Sequence, residues 1–240
     1  MERWIFPKLK QVFTVNDSIA KIYSEEYKVP INVLRNIPLL ANQQQLKVIS
    51  KKELGIPEGK KIILLQGAGI NIDRGAEEAV EAMQYVDNAV LLIVGSGDVM
   101  ELLHKMVNEL KLQDKVMFVG KVPFEKLLQY TNHADLGLTL DKDTNINYKY
   151  SLPNKLFDYI HAGVPVLASD LVEIKSIIET YRIGDCILNH DPKHIADKMS
   201  HIINDESMLL EWKKNCKIAA EKLNWENEEK QLLAVYSKFL

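Results

Sequence analysis

From Lys60 onward, short apolar runs alternate with segments of helical spacing. KIILLQ (61–66), AVLLIV (89–94), VMFVG (116–120), DLGLTL (135–140) and VPVLA (164–168) are nearly continuous in apolar residues, the pattern of strands covered on both faces. CILN (186–189) is expected to be a sixth strand. Between them, GAEEAVEAMQYV (75–86) sets Ala79, Val80, Met83 and Val86 on one helical face, and MELLHKMVNELKL (100–112) and PFEKLLQYTNHA (123–134) repeat that spacing. PNKLFDYIHAG (153–163) carries Pro in its first turn and Gly at its end, the asymmetry of a helix start and stop. Strands separated by helices predict a Rossmann-like α/β fold, a doubly wound parallel sheet of about six strands in the order 3-2-1-4-5-6.

The first 45 residues break this rhythm. QVFTV (11–15) has the pattern of a short buried strand, DSIAKIYSEEY (17–27) that of a helix capped by Asp17, and VLRNIP (33–38) leads into a polar stretch containing Gln43, Gln44 and Gln45. From about Ser207 the chain is helical in pattern and ends on WENEEKQLLAVYSKFL (225–240). The expected division is a leading segment 1–45, a main unit 46–224 and a terminal helix 225–240.

Composition narrows the function classes. Hydrophobic residues make up 47% and charged residues 26%, enough for a substantial core. A net charge of −3 gives no global basic field to hold nucleic acid. Cys186 and Cys216 are too few for a disulfide framework and read as buried thiols in a reducing compartment. No stretch reaches the ~18 apolar residues of a membrane span, and MERWIFPKLK lacks a signal-peptide core. The expected location is cytoplasmic, with contact to the inner face of a membrane left to a partner domain.

In a sheet of this order, ligands bind between the first and fourth strands, here 61–66 and 135–140. The loops beyond lead to helix starts carrying Arg74 and Lys155. A cation at a helix N-terminus is unfavourable by a few tenths to ~1 kcal/mol, and a bound anion reverses the sign. Arg74, Lys155 and the N–H groups of Asn154, Lys155 and Leu156 therefore read as a diphosphate clamp or as solvated surface groups around a helix end. Asp158, one turn on, either accepts from two ribose hydroxyls or compensates the helix dipole. Gly67 and Gly69 lack the third glycine of a dinucleotide fingerprint, and no acid closes the second strand, which argues against NAD. Gly95-Ser96-Gly97 is either a place for a base to approach the backbone or a plain tight turn. His190 and His194, at i and i+4, lack the glutamate of a zinc motif, so no metal is expected.

The string SLPNKLFDYIHAGVPVLAS (151–169) resembles the signature of family-four GT-B glycosyltransferases. QGAGINIDRGAEEAVEAM (66–83), LLIVGSGDVMELL (91–103) and FVGKVPFEKLLQYTNHADLGLTL (118–140) are similar to further motifs of that family in order and spacing. FTVNDSIAKIY (13–23) and NIP (36–38) look like the end of its N-terminal domain and its interdomain linker. The resemblance implies one half of a GT-B fold: residues 1–45 as tail and linker, 46–224 as the nucleotide-sugar-binding domain, 225–240 as the crossover helix. It implies Arg74, Lys155, Asn154 and Gly69 at the donor diphosphate, Asp158 at ribose, and Gly120, Lys121 and Gly95 at the base. The family's first acid falls at Tyr150, and Asn145, Asn147 and Tyr150 stand in for it at the sugar. The catalytic residue is unassigned and no cofactor or metal is implied; the donor is itself the ligand. The acceptor domain is expected in cis on a longer chain or in trans, with Trp4, Phe6, Val235 and Phe239 marking its docking surface. A non-catalytic nucleotide-sugar-binding subunit and a sugar-nucleotide epimerase domain share the same architecture.

Overall fold

The computed structural model describes residues 2–40 and 47–237. Six parallel strands form the main sheet: β3 (Lys61–Gly67), β4 (Ala89–Gly95), β5 (Val116–Gly120), β6 (Leu136–Thr139), β7 (Val166–Ser169) and β8 (Gly184–Ile187), in the spatial order β5-β4-β3-β6-β7-β8. This is the 3-2-1-4-5-6 order expected from the sequence, and the direction of winding reverses between β3 and β6. β8 begins two residues before CILN. Gly184, Asp185 and Cys186 are only partly covered at the sheet edge while Ile187 is buried, and Leu188, expected inside the strand, is 78% exposed.

Alternation along β3 divides the core. Ile63 and Leu65 pack with α3 (Ala76–Ala82), α4 (Met100–Glu109) and α9 (Pro192–Asn204), while Ile62 and Leu64 pack with α5 (Phe124–Asn132), α7 (Asn154–Ala162), α8 (Val172–Tyr181) and α10 (Glu206–Ala220). Each fully buried Leu or Ile contributes about 1.5–3 kcal/mol against exposure. Helix α8 begins with VEIKSII, rich in β-branched residues, and buries Ile174, Ile177 and Ile178. Pro192 does not interrupt α9 but opens it, with the Asp191 carboxylate accepting from His194 N–H at 2.9 Å. The polar loop 141–150 contains a further short helix, α6 (Ile146–Lys149).

Before the main sheet, α1 (Glu2–Ile5) leads to β1 (Val12–Thr14), α2 (Asp17–Tyr27) and β2 (Ile31–Val33), with β1 and β2 paired in parallel. The cap of α2 is Asn16 rather than Asp17: the Asn16 Oδ1 accepts from Ile19 N–H at 2.9 Å, while Asp17 sits inside the first turn. The last helix, α11 (Trp225–Tyr236), returns to this leading unit. Trp225 N–H donates to Pro38 O at 2.9 Å, the buried Glu228 accepts from Arg35 N–H at 2.8 Å, and Tyr236 stacks near Phe13. Of the four expected docking residues, Trp4 is 70% exposed. Phe6 is half-buried against Tyr27, with ring centroids 4.3 Å apart, and Val235 is also half-buried; Phe239 lies outside the described residues. Among the described residues no helix is long and apolar enough to cross a membrane.

Candidate functional site

At the reversal point a cleft of about 700 Å3 opens beyond the carboxyl ends of the strands. Its walls are Gln66–Ala68 at the end of β3, Asn154, Lys155 and Asp158 of α7, Phe124 and Leu127 of α5, and Asn36–Leu39 with Trp225. The position of α7 is set from below. Tyr159 is fully buried, and its hydroxyl, with one proton to donate, lies 3.1 Å from Leu64 O and 3.3 Å from Leu138 O, carbonyls of the two strands at the crossover. Its ring fills the notch left by Gly137, where a Cβ would come within 2.6 Å of ring carbons.

Helix α7 starts without a side-chain cap, because Pro153 occupies the N-cap. Leu156 N–H bonds back to Pro153 O at 3.0 Å, so it is not the free donor expected from the sequence. Among the described residues the N–H groups of Asn154 and Lys155 have no partner, and they point along the positive end of the helix dipole. The Asn154 side-chain oxygen accepts from Asn36 Nδ2 at 3.2 Å, tying the helix start to the linker.

Lys155 is lowered from the usual lysine range. Burial is the main cause, opposed by the Asp141 carboxylate and reinforced by the charge of Arg74. Among the described residues its ammonium has no ion pair and no hydrogen bond. Asp141, fully buried, stands between the two cations and takes Arg74 as its partner, with Nη1 to Oδ1 at 3.3 Å. The Arg74 guanidinium also lies over the Tyr148 ring at 4.8 Å. Arg74 thus stands beside the cleft already engaged by Asp141, whereas Lys155 lines it. Arg74 Nε and Asp141 Oδ2 are buried without partners among the described residues.

Asp158 is 8% exposed. Burial raises its carboxyl to about 6, opposed by the Gln66 Nε2–H that donates to Oδ2 at 3.0 Å. Gln66 carried no expectation beyond membership of a strand. The signal was there: it is the one long polar side chain between Lys61 and Gly67 in a strand of buried residues.

The remaining expected site residues lie around the cleft rather than in its lining. Gly69 follows β3 in a loop zipped to the β4 turn by Ile70 N–H to Ser96 O (2.9 Å) and Ser96 N–H to Gly67 O (3.2 Å). A Cβ on Gly95 would meet Gly67 O at 1.8 Å, so the close approach to that glycine is made by protein backbone. Gly120 ends β5 and Lys121 is exposed beyond it; Phe124 and Leu127, on the helix that follows, reach the cleft instead. Asn145 Oδ1 caps α6, accepting from Asn147 N–H (3.0 Å) and Tyr148 N–H (3.1 Å). Asn147 is exposed on the same turn, and Tyr150 O accepts from Asn16 Nδ2 at 2.8 Å.

The histidine pair is engaged by the protein itself. His190 Nε2 lies 3.0 Å from both Ser169 Oγ and Leu140 O, and His194 Nε2 accepts from Leu188 N–H at 3.1 Å. Among the described residues no three His, Cys, Asp or Glu side chains are grouped to hold a metal ion. Both cysteines are free thiols, pushed up to about 12 chiefly by burial.

The fold is shared with solved glycosyltransferases. Sucrose-phosphate synthase from Thermosynechococcus elongatus superposes with a TM-score of 0.82 at 20% identity, covering 99% of this chain and 60% of that one. The Anabaena protein HepE, solved in complex with UDP, superposes at 0.79 with 14% identity, covering 95% and 64%. Among curated sequences, an uncharacterized glycosyltransferase of Methanocaldococcus jannaschii is 24% identical over 94% of this chain and 59% of its own length. The N-acetyl-alpha-D-glucosaminyl L-malate synthase of Bacillus anthracis is 26% identical over 66% of this chain and 40% of its own. The chain thus spans about 40–60% of the length of these two curated relatives. Residues 47–219, which contain the whole main sheet and every cleft residue on it, match the family described as glycosyl transferases group 1, and to that family the chain belongs.

Proposed function

We propose that the cleft binds a nucleoside-diphosphate sugar as the donor of a glycosyl transfer. The observation that carries this reading is Lys155: a half-buried cation with no ion pair among the described residues, at an uncapped helix start, one turn from a buried carboxylate. A diphosphate supplies the missing negative charge and accepts the Asn154 and Lys155 N–H groups. Arg74 adds a second cation on exchanging Asp141 for phosphate, and Gly69 lies along the same edge. Asp158 accepts from the ribose hydroxyls. The base packs past Gly95 toward Gly120 and Lys121 over the apolar wall of Phe124 and Leu127, and Asn145, Asn147 and Tyr150 face the sugar. The HepE structures that hold UDP and UDP-glucose support a nucleotide sugar as the ligand class.

In this reading residues 1–45 and 225–240 belong with an acceptor-binding domain, in cis or in trans, and 46–224 form the donor domain. Transfer requires an acceptor oxygen held ~3 Å from the anomeric carbon with water excluded. A facing domain does this for a glycan or lipid-linked acceptor, at the cytoplasmic face of a membrane when the acceptor is a lipid. A thermal-shift and calorimetric panel of UDP-, GDP-, ADP- and dTDP-sugars tests the proposal. One class should bind, and no sugar should pass to a free acceptor until the acceptor domain is added. Absence of binding across the panel would sink the donor assignment. Turnover of donor alone would point instead to an epimerase.

A further inference from the structure

A buried polar chain runs from the cleft into the core. Gln66, 1% exposed, spans it: Nε2–H donates to Asp158 Oδ2 at 3.0 Å, and Oε1 accepts from Thr131 Oγ1–H at 2.7 Å. Thr131, fully buried on α5, has a second acceptor in Leu127 O at 3.0 Å, but its hydroxyl carries one proton. A glutamine in a strand of Ile and Leu is an expensive choice for packing alone, since each buried amide group must be bonded. Here both of its ends are bonded, one of them to the carboxylate that lines the cleft.

We propose that Gln66 is a positioning residue: it holds the Asp158 carboxylate ionised with one oxygen occupied, leaving Oδ1 as the acceptor offered to the donor's ribose, and Thr131 fixes the amide orientation that makes Gln66 a donor. The ribose part rests on the reading above; the hold on Asp158 does not. Thr131 donating into the amide oxygen polarises the N–H that meets the carboxylate, so the chain acts as a unit. With the amide reversed, an oxygen would face the carboxylate and the interaction would become repulsive. The charged groups around Asp158 are few. Lys155, on the same helix, is the other titratable group lining the cleft, and the Tyr159 phenol next to it is raised, in smaller part, by the Asp158 charge. Burial favours the protonated acid, and the Gln66 N–H opposes it.

Gln66→Met keeps length and volume and removes the donor. Thr131 then falls back on Leu127 O, so Asp158 Oδ2 alone loses its partner. Carboxyl-carbon NMR of the ligand-free chain reads Asp158 directly. Its midpoint, about 6 in the parent, should rise by about one pH unit in Gln66→Met. Thr131→Val should give a smaller rise, Thr131→Ser none, and the double variant no more than Gln66→Met alone. Should Gln66→Met not fold, the Thr131 pair decides the matter. Calorimetry at pH 6.5 should show UDP-glucose binding weakened about 3-fold in Gln66→Met, the fall in the ionised fraction of Asp158, and pyrophosphate binding unchanged. An Asp158 midpoint identical in parent, Gln66→Met and Thr131→Val overturns the proposal. A shifted midpoint together with equal losses of UDP-glucose and pyrophosphate in Asp158→Asn supports the hold on the carboxylate and overturns its ribose role.

Discussion

Lys155→Met is the substitution on which binding and stability should part company. Methionine matches the lysine stem in length and removes only the ammonium. In the ligand-free chain that ammonium sits below its ordinary range because burial and the Arg74 charge outweigh the attraction of Asp141. A lysine depressed in the fold is charged at neutral pH in the unfolded chain at no penalty and carries the penalty only when folded. The cost is present below the unfolded value, shrinks as pH rises from the folded value toward about 10.4, and vanishes above it. Asp141 keeps its Arg74 contact at 3.3 Å after the substitution. Lys155→Met should therefore melt at or above the parent temperature at pH 7, with the difference closing above pH 10. The same variant should lose a charge-assisted contact of roughly 1.5–3 kcal/mol to a diphosphate, which is about 10- to 150-fold in Kd. Differential scanning calorimetry and titration with UDP-glucose and UDP read the two halves. A variant that melts well below the parent and binds as tightly would refute the reasoning, since Lys155 would then be a structural cation with no ligand duty.

Two further outcomes are expected. Gly137→Ala should lower stability by about 1–3 kcal/mol through overpacking, or about 2–12 °C in Tm for a chain of this size. It should also weaken donor binding, because the new Cβ at 2.6 Å displaces Tyr159 and with it Asp158; unchanged melting and affinity would show that α7 is not seated by this contact. Donor affinity should persist in excess EDTA, because cations and helix N–H groups supply the charge that a divalent ion would otherwise bring. Loss of affinity restored by magnesium or manganese would contradict that.

The sheet order was legible because its signal is collective. Five apolar runs with helices between them leave few topologies, and the right-handed crossover rule selects among those. Edges were less legible for the same reason: β8 is only half-covered, so its pattern is diluted, and Leu188 looked like a strand residue although it is exposed. The position of Asp158 could be read from helical spacing, since one turn brings it over Asn154. The pairing of Arg74 could not. Asp141 lies sixty-seven residues away, beyond β6, and only the crossover brings them together. Nor could spacing show that Asn145 spends its oxygen on capping α6, because a short helix inside a polar loop has no apolar face to announce it.

The two faces of α7 explain why one helix carries so much of the site. Its inner face is core: Leu156, Phe157, Tyr159 and Ile160 are all buried, and Tyr159 reaches carbonyls of both strands at the crossover. Its outer face presents Lys155 and Asp158, and burial disfavours the charged form of each. A flexible loop could relieve those charges by turning them to water, and a helix seated on Gly137 cannot. The rigidity that makes the ligand-free site costly is thus what keeps a cation and a carboxylate one turn apart, aimed into the same cleft, before any ligand arrives. Preorganised charges of this kind reorganise little on binding, and that is where such a site gains both affinity and selectivity.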